Sequence, residues 1–333
     1  MELQREVLTS EILDPRQDFQ PVTLDVEVRW DPLLGYSARL VRDAHFLPPS
    51  DFDLEALGRQ TAGTCFFCGR RAEESTPRFP PALVPEGRIR RGRALLFPNI
   101  QAYARHSTVC IYSPDLHYLP LDRMTPDVVC DNLAAQVDFL RRVARHDPGS
   151  AWTAINGNHM LPSGSSLFHP HLQASADPHP TMVQRLLADV PGERVRDYLD
   201  TERRLGQRHL GSLGGVEWLA SFAPFGFNEL RAFVPGVAAP AELDDDRVAA
   251  LGEGVSCALG LYAELGMQSF NLAIYGTPPG RPDAVLGLRL VSRSNVAPLY
   301  RSDVAYFERM HWQAMVDRTP EELAERAGSR FRG

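Results

Sequence analysis

His169-Pro170-His171-Leu172-Gln173, near the middle of the chain, is its most distinctive motif. Two histidines placed two residues apart on an extended segment project to the same face of a strand. The proline between them fixes φ and removes a backbone donor, which keeps the pair rigid. A neutral imidazole with one ring nitrogen held by a hydrogen bond can act as a nucleophile. The run therefore predicts phosphoryl or nucleotidyl chemistry through a histidine, although two solvated or metal-bound histidines in a loop would also satisfy a His-x-His pattern.

Small polar residues precede this run. Asn156-Gly157-Asn158 comes first, and Ser163-Gly164-Ser165-Ser166 follows it directly upstream of the histidines. Backbone N–H groups and hydroxyls of such a segment can hold phosphate oxygens. The order of the residues thus predicts a phosphate site beside the histidine pair.

The cysteines indicate a metal site. The chain has five of them, an odd number, and two form Cys65-Phe66-Phe67-Cys68. An odd count with a Cys-x-x-Cys spacing argues against a disulfide framework and fits a reducing compartment, so we expect a cytoplasmic protein. Two unligated thiols are the alternative interpretation of the pair.

Charge and composition exclude several classes of function. The net charge is −7, which argues against a polynucleotide partner, because neutralisation of phosphates dominates that kind of binding. The basic run over residues 88–93 is either a solvated surface or a contact for a substrate phosphate. All 35 lysine-or-arginine residues are arginines, which excludes Schiff-base, P-loop and kinase chemistry that needs lysine. The sequence has no apolar run of about 18 residues and its first residues are polar, so we expect neither a membrane partner nor a secretory signal.

The order of elements repeats. Thr125 and Pro126 open an amphipathic helix, and a second helix is predicted over residues 246–265. Ala154-Ile155-Asn156-Gly157 resembles Ala273-Ile274-Tyr275-Gly276, which lies 119 residues later (273 − 154 = 119). This offset suggests an ancient duplication. The segment over residues 178–215 is predicted to be a turn-rich connection between the two copies.

The motifs together resemble the galactose-1-phosphate uridylyltransferase branch of the histidine-triad superfamily. The resemblance is spread over most of the chain. Its most specific element is His-Pro-His-x-Gln with an upstream Cys-x-x-Cys. The supporting matches are Asp31-Pro32-Leu33-Leu34-Gly35, Thr76-Pro77, Phe97-Pro98-Asn99, Ser113-Pro114-Asp115 and the segment from Thr319 to Arg326.

The resemblance implies a double displacement. His171 would attack the α-phosphorus of a nucleotide sugar, and the nucleotidyl-histidine would then be attacked by a sugar phosphate or phosphate. Gln173 stands where hydrolases of the superfamily carry a third histidine, so it favours transfer over hydrolysis. The phosphoryl oxygens would be held by Asn158, Gly164, Ser165 and Ser166, and the base by Asn99.

The resemblance also implies a structural zinc ion. Cys65, Cys68 and His169 are three of its ligands. In the family the fourth is a histidine directly after Ser-Pro-Asp, but here that position is Leu116 and the histidine is His117. A slip of one residue along a strand reverses the side-chain face. We therefore predict His117 as the fourth ligand, with His106 as the alternative.

These inferences predict an α+β fold of two tandem histidine-triad-like lobes, each an antiparallel sheet with helices packed on it. Residues 1–195 form the catalytic lobe with the zinc site, and residues 196–333 form a second lobe that lacks the His-x-His and, we expect, a second metal. The resemblance further implies a homodimer. The alternatives are a histidine-triad nucleotide hydrolase and a non-catalytic nucleotide-binding protein, and the base and the sugar stay open.

Overall fold

A computed structural model describes residues 1–42, 44–281, 283–299 and 301–332 of the chain. Within these residues the chain forms fourteen β-strands and eight α-helices. The strands are β1 (Arg5–Asp14), β2 (Gln20–Trp30), β3 (Ser37–Leu40), β4 (Ile89–Arg91), β5 (Ala94–Pro98), β6 (His106–Ile111), β7 (Trp152–His159), β8 (His171–Asp177), β9 (His209–Leu213), β10 (Val216–Ala220), β11 (Leu230–Pro235), β12 (Ser269–Tyr275), β13 (Val285–Arg293) and β14 (Ala314–Val316). The helices are α1 (Leu54–Ala62), α2 (Arg71–Ser75), α3 (Pro126–His146), α4 (Met182–Ala188), α5 (Gly192–Leu205), α6 (Asp245–Glu264), α7 (Tyr306–His311) and α8 (Pro320–Ala327).

Ten of the strands form one continuous antiparallel sheet. Its order is β4-β5-β6-β8-β7-β12-β13-β11-β10-β9, so five strands of each half of the chain meet where β7 pairs with β12. Ile155 faces Ile274 in that pair of strands, and these two residues are 119 apart (274 − 155 = 119). The separation of these paired residues equals the offset of the sequence repeat. The two halves of the sheet therefore correspond to the two copies of the repeat and meet between β7 and β12. The predicted α+β class with antiparallel sheets is confirmed.

Helices cover one face of this sheet. Pro126 occupies the first turn of α3, where a missing N–H costs nothing, and Arg145 and His146 lie in the last turn. Phe139 and Leu140 on α3 are fully buried, as is Leu251 on α6. Burial of each such side chain contributes roughly 2 kcal/mol to stability. The main hydrophobic core thus lies between α3, α6 and the sheet, and it fixes which face of each strand points away from the helices.

Alternation along β7 and β8 assigns the opposite face to polar residues. Ile155 and Leu172 belong to the core under the helices. Since successive side chains of a strand point to opposite faces, Asn156, His171 and Gln173 project from the face away from the helices. This face carries the candidate site.

The remaining strands form a smaller sheet with the order β1-β2-β3-β14, in which β14 runs parallel to β3 and the other pairs are antiparallel. β1 and β2 make a long ribbon, and nine of the ten residues of β1 are exposed. Among the described residues, none of the helices is long and apolar enough to cross a membrane.

The segment over residues 178–215 does join the two halves, but its predicted turn-rich character is wrong, since it contains α4 and α5 as well as β9, the first strand of the second half. Val195 and Leu199 lie one turn apart on α5 and are buried, which gives the helix an apolar side. The boundary predicted between residues 195 and 196 falls inside α5 and stays a prediction.

Candidate active site

His171 is the first residue of β8 and is only 9% exposed. Its Nδ1 lies 2.8 Å from the backbone oxygen of His169. A carbonyl oxygen can only accept, so Nδ1 carries the proton and the lone pair is on Nε2. Burial lowers the pKa of His171, which keeps the imidazole neutral near pH 7. The sequence left the hydrogen-bond partner of this ring open, and the structure places the carbonyl of His169 there.

The two histidines of the motif differ in their local structure. Only His171 belongs to the strand, whereas His169 lies in the bend that precedes it, so the prediction that both project from one strand is wrong. Both rings contact the edge of Phe67, with centroid distances of 5.8 and 5.9 Å. Phe67 therefore packs against both histidine rings.

Strand register aligns His171 with polar residues of the neighbouring strands. Gly157 pairs with Leu172, which sets Asn158 beside His171, and Asn158 pairs in turn with Asn271 on β12. Adjacent strands are about 4.8 Å apart, so Asn271 is roughly 10 Å from His171 along this row. Gln173 pairs with Asn156 one step further along the strands, on the same face. Sequence reasoning predicted Asn158 and Gln173 but missed Asn271.

The loop between β7 and β8 turns at a glycine and uses two of its predicted phosphate-binding groups for hydrogen bonds within the loop. Gly164 has a φ of +94°, a conformation that favours glycine. A Cβ at this position would lie 3.9 Å from Nδ2 of Asn158, so the asparagine amide faces the loop. The Gly164 N–H donates to the carbonyl of Leu161 and the Ser165 hydroxyl donates to that of Leu167. Ser166 is exposed. Its hydroxyl and the Asn158 amide are therefore the groups that this loop presents outward.

Asn99 lies further from His171 than the loop does. It follows β5, and its backbone N–H donates to Ser107 on β6, which itself pairs with Ser175 on β8. Asn99 is therefore level with Ser175, two strands away. Its Oδ1 accepts from the N–H of Gln101, which fixes the side-chain amide.

The four residues predicted to bind metal lie together. One potential ligand atom from each of Cys65, Cys68, His117 and His169 is within 4.8 Å of all the others. Sγ of Cys68 is 3.2 Å from Nδ1 of His117 and 3.4 Å from Nδ1 of His169, and Sγ of Cys65 is 3.7 Å from the latter. Ligands of a tetrahedral zinc ion are about 3.5 Å apart, given zinc–ligand bonds of 2.0–2.3 Å. The donor set and its spacing therefore fit zinc.

Hydrogen bonds fix the tautomers of both histidines in this cluster. Nε2 of His169 lies 2.9 Å from the carbonyl oxygen of Ser113, so it must donate. Nε2 of His117 lies 2.8 Å from the hydroxyl of Thr61, which itself donates to the carbonyl of Leu57. Each ring therefore turns an unprotonated Nδ1 toward the cysteines, as metal ligation requires. Burial lowers the pKa of His169 to about 4, so this ring is neutral at physiological pH.

The Cys68 thiol needs a nearby cation to ionise at neutral pH. Burial, together with the neighbouring Cys65, raises the pKa of Cys68 to about 12. Two thiolates side by side in a half-buried site are therefore unfavourable alone, and a divalent cation compensates their charge. The chemistry of the donor set thus agrees with its geometry.

His106 does not reach this cluster. Its Nε2 contacts the carboxylate of Asp147 at 2.9 Å. The argument that a slip of one residue reverses the side-chain face holds only for a strand. Residues 113–116 form a turn instead, in which the Leu116 N–H donates to the carbonyl of Ser113, so Leu116 does not displace the histidine. His117 therefore leaves the turn toward the cysteines.

A cavity of about 550 Å³ begins at Asn271, at the end of the row that contains His171, whereas His171, Asn158 and Gln173 are not among its lining residues. Asn156, Ser175 and Asn271 line it, together with Arg289 and Arg293 of β13. The aromatic residues Phe225, Tyr275 and Trp312 complete a wall that mixes apolar surface with hydrogen-bonding groups. Such a lining suits a polyhydroxylated ligand, and the sequence did not indicate it.

The equivalent surface of the second half is filled. Ala174 pairs with Ile155 and Leu288 pairs with Ile274, so the repeat matches His171 with Val285. Apolar residues occupy the space over Val285, namely Leu33, Leu34, Val190, Val195, Tyr198, Leu199 and Phe233. The buried carboxylate of Asp31, from the Asp-Pro-Leu-Leu-Gly motif, contacts Arg231 at 2.9 Å beside them. Leu33 and Leu34 of this motif therefore pack in the apolar cluster at the position that matches His171.

The basic run is engaged by the protein itself. Arg88 is buried and donates to the carbonyls of Glu73, Thr76 and Pro77. Arg91 contacts Asp138 at 3.0 Å. These contacts favour the interpretation of the run as a structural and solvated surface.

Comparison with known proteins agrees with the fold. An ADP-glucose phosphorylase from Arabidopsis thaliana, solved with bound ADP-glucose, superposes with a TM-score of 0.68 and 18% identity, covering 91% of this chain and 98% of that one. A GalT-like protein from the same plant gives a TM-score of 0.66 at 18% identity over 90% and 97% of the two chains. A uridylyltransferase gives 0.60 at 18% identity over 91% and 98%.

This chain has the GalT-like fold. The resemblance read from its motifs is confirmed at that level. A curated protein of Archaeoglobus fulgidus, described as uncharacterized, is 27% identical over 333 residues, covering 98% of this chain and 97% of that protein. No family model matches the chain.

Proposed function

We propose that the protein is a nucleotidyltransferase that passes a nucleoside monophosphate from a nucleotide sugar to a phosphate acceptor through His171. The observation that carries the proposal is the hydrogen bond from Nδ1 of His171 to the carbonyl of His169, which leaves the lone pair on Nε2 of a ring that shares a sheet face with Asn158 and Gln173. A neutral imidazole fixed in this tautomer is an activated nucleophile. The superposed ADP-glucose phosphorylase and uridylyltransferase support this class of reaction.

The reaction has two balanced steps. Nε2 of His171 forms a bond to the α-phosphorus, and the bond from that phosphorus to the bridging oxygen breaks, which releases the sugar 1-phosphate. An oxygen of the acceptor phosphate then attacks the same phosphorus, and the P–N bond breaks. Asn158, Ser166 and Gln173 stabilise the phosphoryl oxygens as charge moves onto them. The 550 Å³ cavity has room for the sugar phosphate.

Zinc has a structural role in this proposal. Cys65, Cys68, His117 and His169 would hold it, and the ion supplies positive charge that fixes the orientation of the His169 ring. The residue that ligates zinc with its side chain also holds His171 with its carbonyl, so the ion would order the nucleophile without contacting the substrate.

We also propose a homodimer. The ribbon of β1 and β2 exposes Val7, Leu13, Phe19 and Leu24. A two-stranded ribbon alone in water is marginally stable, and these apolar side chains suit a partner copy. Sedimentation at micromolar concentration checks this, and a monomer there contradicts the dimer without affecting the reaction.

The test is to trap the intermediate. UDP-, ADP-, GDP- and CDP-sugars labelled at the α-phosphorus are mixed with the enzyme, which is then denatured in alkali, where a phosphohistidine bond survives, and analysed by mass. We expect label on His171 with one of these donors, discharged by phosphate or a sugar phosphate, and none in His171→Ala. A His171→Ala variant that turns over like wild type removes the proposal. Discharge to water alone favours a hydrolase, and tight nucleotide binding without label favours a binding protein.

A further inference from the structure

Four polar side chains form a hydrogen-bonded chain from the C-terminal segment to the phosphate loop. Nε and Nη2 of Arg293 each lie 2.7 Å from the carboxylate of Asp303. Nη1 of Arg293 donates to Oδ1 of Asn271. Nδ2 of Asn271 donates to Oδ1 of Asn158 at 2.6 Å. The Asp303 and Arg293 side chains are 1% and 16% exposed, so this ion pair is largely shielded from water, while Asn271 and Asn158 are half-buried.

The direction of each bond in this chain is determined. Arginine can only donate, so Asn271 must turn its oxygen toward Arg293 and its NH2 group away from it. That NH2 group also faces the carbonyl of Ser163 at 3.0 Å and that of Gly157 at 3.3 Å, both of which can only accept. The orientation of the Asn271 amide is therefore fixed from both ends, independently of how the oxygen and nitrogen were assigned.

The same logic fixes Asn158. Its oxygen accepts from Asn271, so its NH2 group must point the other way, and Nδ2 does face Gly164 of the loop. An anionic phosphoryl oxygen can be held by an N–H donor and is repelled by a carbonyl oxygen. An unrestrained asparagine could present either group.

We propose that Asp303, Arg293 and Asn271 are positioning residues that hold Asn158 with its NH2 group turned toward the phosphate loop, as a donor to a phosphoryl oxygen. The second half of the chain thereby sets the polarity of the site in the first half. Arg293 and Asp303 also line the 550 Å³ cavity, so a ligand there would contact the end of this hydrogen-bonded series that lies away from Asn158. The inference rests on the proposed function only for the identity of the phosphate compound, because these hydrogen bonds would orient the Asn158 amide in the same way toward any phosphate.

A double-mutant cycle tests the proposal by binding, without need of turnover. The variants are Asn158→Ala, Asn271→Asp and the double variant, and the measured quantities are the dissociation constants of AMP, UMP, GMP and CMP by calorimetry. A carboxylate at position 271 accepts from Arg293 but cannot donate, so Asn158 turns its own NH2 group inward and its oxygen toward the phosphate. We expect about 10-fold weaker binding for Asn158→Ala, from loss of one charge-assisted hydrogen bond. Asn271→Asp should weaken binding at least as much, and the double variant should match Asn158→Ala within about twofold.

Additive losses overturn the proposal, because Asn271 would then act on the loop without Asn158. An Asn271→Asp variant that binds the nucleotides as tightly as wild type overturns the proposal as well. Thermal unfolding of each variant identifies folding defects, and if Asn271→Asp does not fold, Asp303→Asn takes its place in the cycle with a smaller expected loss. Wild-type binding of a nucleoside monophosphate without any labelled intermediate ends the proposed function and leaves this inference standing, whereas a wild-type protein that binds none of AMP, UMP, GMP and CMP overturns both.

Discussion

The carbonyl oxygen of His169 accepts a hydrogen bond from Nδ1 of His171 at 2.8 Å, while the ring of His169 lies among the cysteines of the metal cluster. One residue therefore belongs to both parts of the site. Displacement of the His169 ring would move the peptide whose oxygen holds His171, the proposed nucleophile. Binding of the proposed zinc ion and alignment of that nucleophile would thus be coupled through two residues of backbone.

Loss of the metal ligands is expected to remove zinc, stability and nucleotidyl transfer together. Cys65→Ser should release the ion, and the melting temperature should fall by roughly 5 to 10 °C, because structural zinc contributes folding free energy directly. Metal analysis, thermal unfolding and the labelled intermediate are measured on one preparation. Cys257→Ser is the control, since this half-buried thiol contacts the carbonyl of Arg330 and lies outside the cluster. Wild-type protein purified without chelator that holds no zinc would contradict this expectation, as would full stability of Cys65→Ser.

The hydroxyl of Thr61 should tune the affinity for the metal. It accepts from Nε2 of His117 at 2.8 Å, which holds the ring with Nδ1 toward Cys68. Thr61→Val keeps the shape of the side chain and removes this acceptor. We expect a 10- to 100-fold weaker zinc affinity, the usual effect of losing a partner behind a metal ligand. Competition with a chromophoric chelator measures it, and the exposed Thr64→Val is the matched control. Equal affinities of the two variants would show that Thr61 does not orient His117.

Local sequence signals account for much of the site, and long-range pairing accounts for what they missed. The Cys-x-x-Cys spacing predicted a metal site, and the family resemblance predicted Cys65, Cys68, His169 and His117 as its ligands, with His106 as the alternative to His117. The turn at residues 113–116, whose shape no periodicity indicates, is what brings His117 to the cysteines. Asn271 could not be found at all, because its contact with Asn158 joins residues 113 apart and depends on the register of two strands.

The helices show the same division. Thr125 and Pro126 mark the start of α3, and the structure begins that helix at Pro126. The helix α5 was missed because charged residues surround its few apolar positions. Val195 and Leu199, which lie one turn apart, were the available sequence signal for this helix. Their side of the helix becomes buried only by packing against Leu33 and Phe233. Tertiary contact thus decides where a weak pattern becomes a helix.

His159 should make the protein sensitive to acid. It ends β7, stacks on Phe270 at 5.1 Å, and its Nε2 has no hydrogen-bond partner among the described residues. Burial lowers the pKa of His159 to about 3, with the neighbouring His171 as a second cause. An unfolded histidine titrates near 6.5, so between about pH 6.5 and 3 the unfolded chain binds a proton that the native protein does not. The free energy of unfolding therefore decreases as the pH falls, by up to about 1.4 kcal/mol per pH unit from this group.

The His159→Phe variant isolates this contribution. Phenylalanine preserves the stacking on Phe270 and cannot titrate. Urea unfolding at several pH values between 7 and 4.5 gives the free energies of both proteins, and we expect the variant to lose less stability as the pH decreases. Parallel profiles for the two proteins would mean that His159 gains its proton without unfolding.

Gln173 should decide whether the intermediate reacts with phosphate or with water. It lies two residues after His171 on the same face of β8 and pairs with Asn156. A transferase must preserve its nucleotidyl-histidine until the second phosphate arrives. An imidazolium at position 173 could donate a proton and help water compete, whereas a neutral amide only donates hydrogen bonds to the phosphoryl oxygens. We therefore expect Gln173→His to transfer more slowly and to send a larger share of the labelled intermediate to water.

Gln173→Asn is the control, since it keeps the amide, shortens the side chain and adds no titratable group, so it should lower both rates without changing their ratio. The measurement is the partition of trapped intermediate between water and acceptor phosphate. A wild-type enzyme that already discharges mostly to water with every acceptor would make the protein a hydrolase in spite of this glutamine.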